Sequence, residues 1–172
     1  MQPADIDETP RSHEDAADYV VRLAVEKAQT LAGPGRAVIG ADTSVVLDGE
    51  ILGKPQDHDD AAATLRRLAG RSHEVVTGVA VVVDLEGEVR IESGLERSLV
   101  HVDAIDDATI DWYVATGEAD DKAGSYGLQG AGGLFADRVE GSVSNVIGLP
   151  MGLLSRLCRA AGLDLLEMGQ PR

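Results

Sequence analysis

Asp42 and Lys54 stand at the two ends of IGADTSVVLDGEILGKP, residues 39–55, in which two apolar strand-like runs flank an Asp48–Gly49 turn. An acid at the entrance of a hairpin and a Gly-Lys-Pro turn at its exit are costly for structure alone, so the segment reads as a site. Lys27 and Lys122 complete a set of three lysines beside twelve arginines. Surface cations here are written as arginine, and a lysine kept in a glycine-containing turn suits a role that needs a compact ammonium. Composition bias with chance placement accounts for the same fact equally well.

Carboxylates and ammoniums of this kind are what hydrolysis of a phosphoanhydride uses. Asp7, Glu8 and Asp42 could give oxygen ligands to a hard divalent ion, and one of them could take a proton from water. The lysines would neutralise phosphate charge. Each charge-assisted contact contributes roughly 1.5–3 kcal/mol.

These groups need elements to hold them. Ser12 to Leu31 reads as a helix, with Ser12 and Asp15 resembling a capping box and Val20, Leu23, Ala24, Ala28 and Leu31 forming one stripe. Lys27 lies at the edge of that stripe. Asp57 to Gly70 reads as a second helix. HEVVTGVAVVVD and residues 89–102 read as a long antiparallel pair joined by a Glu86–Gly87 turn, with Gly94 a possible bulge. Asp106 caps a helix that runs to Thr116, with Ile105 and Ile110 as its staple.

Residues 117–150 are rich in glycine and carry Lys122, Gln129, Ser142, Ser144 and Asn145. Such backbone can approach a ligand closely, and an ordinary set of turns around one strand, LFADRVEG, is the plainer alternative. A last helix starts near Pro150 and buries Leu153, Leu154, Leu157 and Ala161.

With 172 residues the chain suits one domain, and 44% apolar but only 3% aromatic residues predict an α/β core of Val, Leu, Ile and Ala. A net charge of −15 argues against a nucleic-acid or anionic-membrane surface, because both need a basic face. A small phosphate ligand is still allowed, since salt screens distant acids over roughly 8 Å. Cys158 sits alone in an apolar helical pattern, as a core thiol of a reducing compartment. No run approaches the ~20 apolar residues of a membrane span, and the expected location is the cytoplasm.

Several motifs come close and fail. GEILGKP has the wrong spacing for a phosphate-binding loop, and Pro55 sits where a hydroxyl is needed. GLQGAGG lacks the strand and helix of a dinucleotide fold. His13, His58, His73 and His101 are scattered, and each reads as a surface or capping residue.

Taken in order, IDETP, RLAVEKA, IGADTSVV, LGKP, HEVVTGV, YVATGE, DKAGSYGLQG and GSVSNVIGLP resemble the motifs of the Maf-type nucleoside triphosphate pyrophosphatases, a family first associated with septum formation. The resemblance covers nearly the whole chain. It implies a single mixed-sheet α/β domain related to the inosine triphosphate pyrophosphatases, with a cleft between two lobes and often a homodimer. It implies hydrolysis between the α and β phosphates to a monophosphate and pyrophosphate, with magnesium or manganese. Asp42 matches the proton acceptor, and with Glu8 it would hold the metal. Glu8, Lys27 and Lys54 match charged substrate-binding positions, and Lys122, within a matching motif, is expected to bind substrate with them. Thr43 and Gln129 match positions linked to base choice, in the combination of the branch acting on dTTP and UTP.

In one respect the chain departs from the resemblance. Family members carry a strand and a SerProArgArg-type turn ahead of the IDETP element, and QPADIDETP already corresponds to the later one. Arg11 in ThrProArgSer is not that turn. The expectations are therefore an active pyrophosphatase or, alternatively, a weakly active or inactive nucleotide- or partner-binding relative linked to division control. The Thr43 and Gln129 pair disfavours a third reading, an inosine or xanthosine triphosphate pyrophosphatase.

Overall fold

The computed structural model describes residues 2–85 and 88–165. In chain order the elements are α1 (Ala16–Leu31), β1 (Arg36–Leu47), β2 (Glu50–Leu52), α2 (His58–Leu68), β3 (Ser72–Leu85), β4 (Glu88–Val102), α3 (Asp107–Val114), β5 (Ala136–Glu140), α4 (Val143–Ile147) and α5 (Met151–Ala160). Two 3-10 turns, Ala123–Ser125 and Ala131–Phe135, lie between α3 and β5. The strands form one sheet in the order β2-β1-β3-β4-β5, and the fold is of the α/β class. The β1–β2 and β4–β5 pairings are antiparallel. The Glu86–Gly87 turn lies outside the described residues.

The chain divides into two compact units. One comprises residues 1–42, 77–96 and 148–172, and the other residues 43–76 and 97–147. β1, β3 and β4 each contribute residues to both.

The first unit is built on β3. Val79, Val81 and Val83 pack with Leu153, Leu154, Leu157 and Cys158, while Ala80 and Val82 pack with Ala24 and Ala28. Alternate residues of one strand thus meet two different helices, α5 and α1, which is why the run reads as continuously apolar. Each fully buried valine contributes about 1.5–3 kcal/mol. α1 lies unusually close to its strands. A Cβ on Gly40 would stand 2.1 Å from the Ala24 carbonyl oxygen, and one on Gly78 would stand 2.3 Å from that of Val20. Gly94 leaves room for Leu153, whose Cδ1 would be 3.2 Å from an added Cβ. That contact makes Gly94 a packing position, and the irregular register between β4 and β5 falls at His101 and Val102.

α1 starts later than its spacing predicts. Asp15 caps it by accepting from the Asp18 amide at 2.9 Å. Residues 11–14 instead form a turn, with the Glu14 amide donating to the Arg11 carbonyl at 3.1 Å and His13 at φ 62°. Ser12 is outside the helix for that reason.

The second unit packs α2 and α3 over its own stretches of β1, β3 and β4. Leu65 and Leu68 point inward as their spacing predicts, and Asp57 and Asp106 cap the two helices. Tyr113 and Phe135 meet edge to face at 4.8 Å. Asp48 and Gly49, at φ 54° and 81°, form a two-residue hairpin with Leu47 opposite Glu50. Positive φ at both central positions is the twist that suits adjoining strands, and an Asp-Gly pair supplies it readily.

Part of the glycine-rich segment is more ordered than its composition suggests. The strand expected over LFADRVEG is shortened to Ala136–Glu140, because Leu134 and Phe135 belong to a 3-10 turn. α4 follows directly. Asn145 on α4 is fully buried, and its Nδ2 donates to the Val75 carbonyl at 2.9 Å and to Ser98 Oγ at 3.0 Å. His73 is also buried, which corrects its reading as a surface or capping histidine. Its Nε2 meets the Tyr126 hydroxyl at 2.8 Å. Burial, helped by the His101 charge, lowers its pKa to about 4.

Candidate functional site

Lys27 reaches out from the edge of α1 and places its Nζ 2.7 Å from Asp42 Oδ1 and 2.7 Å from Glu8 Oε1. Three residues separated by up to 34 positions, all in the first unit, therefore share one point. Asp42 is a mid-strand residue of β1, since that strand begins at Arg36 rather than at Ile39. Its side chain is 12% exposed, that of Lys27 is 23% exposed and that of Glu8 is 47% exposed. Burial alone would lower the Lys27 pKa and is the largest single influence on it. The hydrogen bonds and charges of Asp42 and Glu8 outweigh it together, so the pKa is raised and the ammonium persists.

Glu8 comes from an extended stretch before α1, and neighbouring residues of α1 hold that stretch in place. The Tyr19 hydroxyl donates to the Glu8 carbonyl at 2.8 Å. Arg22 donates to the Thr9 carbonyl at 3.3 Å and makes a two-pronged contact with Glu14 at 2.6 and 2.7 Å. That arginine also lies over the Tyr19 ring, 5.5 Å from its centroid. Tyr19 has a raised pKa, first through burial and then through the charges of Asp42 and Glu8. Sequence reasoning missed Tyr19, Arg22 and Glu14. Tyr19, Arg22 and Glu26 follow at steps of three and four, which places them on one helix face, and that spacing was the available signal.

The remaining candidates lie in the second unit. Thr43 follows Asp42 on β1, so its side chain leaves the opposite face of the strand. Lys54 is exposed in the turn after β2, and Gly53 before it accepts a backbone hydrogen bond from Gly124 at 3.1 Å. Lys122 pairs with Asp121, whose carboxyl is held low first by that contact and last by the Lys54 charge. Two lysines thus act on one carboxylate. Gln129 is exposed on the loop that follows Tyr126. That loop is clamped from α3 and the residues after it: the Tyr113 hydroxyl accepts from the Gly127 amide at 3.2 Å and Glu118 accepts from the Ala131 amide at 2.8 Å. A Cβ on Gly130 would lie 2.2 Å from the Glu118 carboxylate, so a larger residue there would displace that side chain.

Chemically, Glu8, Lys27 and Asp42 combine two acceptors with a cation at hydrogen-bonding range. Among the described residues no group of three or more His, Cys, Asp and Glu forms a metal cage. The two carboxylates converge on the Lys27 ammonium, and an ion of the magnesium type takes one or two carboxylates and completes its shell with water and phosphate oxygens. No helix among the described residues is long and apolar enough to cross a membrane.

Known proteins resemble this chain over most of its length. The family model described as Maf-like protein matches residues 1–161. A protein of Anaeromyxobacter dehalogenans (strain 2CP-C) named dTTP/UTP pyrophosphatase is 48% identical over 172 residues, covering 96% of this chain and 84% of its own. Proteins of the same name from Myxococcus xanthus (strain DK1622) and Shewanella oneidensis are 48% and 49% identical, covering 96% and 92% of this chain and 83% and 82% of theirs. A match over residues 1–161, with relatives this similar across most of both chains, places this protein in the Maf family.

Proposed function

We propose that this protein is a nucleoside triphosphate pyrophosphatase, a hydrolase that cleaves dTTP and UTP between the α and β phosphates to a monophosphate and pyrophosphate. The observation that carries the reading is the convergence of Glu8 and Asp42 on Lys27, each at 2.7 Å. Its support from outside the chain is the printed name of its relatives, dTTP/UTP pyrophosphatase.

In this reading Asp42, the least exposed of the three, accepts the proton of the attacking water. A new bond forms from the water oxygen to the α phosphorus, and the bond to the bridging oxygen breaks with pyrophosphate leaving. Lys27 orients Asp42 through their ion pair before the reaction and faces negative charge on the phosphates during it. Glu8 and Asp42 would hold a divalent ion, magnesium or manganese, which when bound neutralises phosphate charge. Lys54 binds phosphate, with Lys122 beside the same carboxylate in the second unit. Thr43 and Gln129 contact the base. A homodimer in the cytoplasm belongs to the same proposal, and light scattering on the purified protein checks the first part.

The test is pyrophosphate release from dTTP, UTP, CTP, 7-methyl-GTP and ITP with magnesium, repeated with a chelator. Release from dTTP and UTP first, and none after chelation, is expected. Asp42→Asn should lower kcat by about 10²–10⁴, the usual contribution of a positioned general base. An unchanged kcat in that variant would remove Asp42 from the role. Binding of dTTP without any turnover would favour a nucleotide-binding relative instead.

A further inference from the structure

We propose that Tyr19 and Arg22 are positioning residues, which fix the Glu8 and Thr9 backbone on α1 and so keep the Glu8 carboxylate within reach of Lys27. The consequence for turnover rests on the pyrophosphatase reading, but the geometry does not.

Glu8 is the least constrained member of the group. Its segment is neither helix nor strand, and its side chain is 47% exposed. Nothing in regular secondary structure sets where its carboxylate lies. The contacts that do so come from one face of α1. Tyr19 donates to the carbonyl of Glu8 itself at 2.8 Å, and Arg22 donates to that of the next residue at 3.3 Å. Lys27 is on the same helix, so the donors to the Glu8 backbone and the partner of its side chain move as one body.

Arg22 is itself immobilised. Its side chain is 12% exposed and that of Glu14 is 8% exposed, and the fork between them is short at both prongs. A guanidinium so fixed presents a defined face to the Tyr19 ring at 5.5 Å. The chain of support runs from Glu14 to Arg22, then to Tyr19, and ends at Glu8. A purely stabilising role would predict effects on melting alone. One exposed hydrogen bond contributes little to global stability, while its effect on where Glu8 sits is direct.

Tyr19→Phe isolates this, because it keeps the ring and its contact with Arg22 and deletes the hydroxyl. With dTTP and magnesium, KM is expected to rise about tenfold with kcat within about twofold, and on a Glu8→Gln background the same change should add less than about twofold. An equal effect in both backgrounds would show that Tyr19 does not act through Glu8. A second readout needs no activity. An ammonium held by two carboxylates exchanges its protons slowly, and with three lysines in the chain its proton–nitrogen NMR signal is readily assigned with Lys27→Arg. The Lys27 signal is expected in the wild type and should be lost in Tyr19→Phe and weakened in Arg22→Lys. An unaltered signal in both variants overturns the proposal. If the signal depends on Tyr19 but no nucleotide is hydrolysed, the positioning stands and the pyrophosphatase reading falls.

Discussion

Lys27 shows why lysine, scarce in this chain, is kept here. A guanidinium presents a flat fork suited to one carboxylate, whereas an ammonium is a point donor that can face Asp42 and Glu8 from one atom, both at 2.7 Å. Spacing along α1 was enough to put Lys27 at the edge of the apolar stripe. What it met there was not legible, because Glu8 and Asp42 approach from an extended segment and a strand. Lys54 is the complementary case. It is exposed, and its charge reaches Asp121. Lys54→Ala is expected to leave folding unchanged and to raise KM for dTTP about 10- to 100-fold, the effect of one charge-assisted contact. An unchanged KM would take Lys54 out of phosphate binding.

Among the elements, those with strong local signals were read well and those fixed by tertiary contact were not. Apolar periodicity located α1, α2, α3 and α5, and the Asp48–Gly49 pair located the hairpin. Asp15 replaced Ser12 as the cap of α1 because a turn at residues 11–14 takes the preceding chain. α4 went unseen because five residues carry too little periodicity, and the buried amide of Asn145 is what anchors it. The glycines of β1 and β3 looked ordinary in sequence. Their purpose depends on helix residues 12 or more positions away: an added Cβ at Gly40 meets the Ala24 carbonyl at 2.1 Å. Gly40→Ala is therefore expected to cost about 2 kcal/mol or more and to lower Tm by roughly 4–8 °C. A Tm within a degree of wild type would mean that α1 shifts freely.

At the scale of the whole molecule, acid is the condition that tests both units. Glu14 in the first unit is held at about 2, chiefly by its hydrogen bond to Arg22, against an ordinary value of 4.5. Its contribution is complete above pH 4.5 and is lost as pH falls toward 2. His73 in the second unit is neutral when folded, with a pKa near 4 against 6.5. Unfolding allows it to take a proton sooner, so stability declines as pH falls from 6.5 to 4. The two windows separate the groups. Between pH 6.5 and 4.5 the slope of Tm against pH should be flatter in His73→Gln, and below 4.5 it should be flatter in Glu14→Gln. The same slope in His73→Gln and wild type would show that the imidazole takes up its proton as readily in the fold as in the unfolded chain.

The seating of α1 on Gly40 and Gly78 has a last consequence. Lys27 lies within a turn of Ala24, and Asp42 lies two residues beyond Gly40 on the strand. The bare backbone of these glycines therefore acts as an alignment jig for the helix and strand that carry the lysine and the aspartate, since backbone lies against backbone there. A methyl group there would do more than loosen the packing. It would leave a folded protein whose aspartate and lysine are out of alignment.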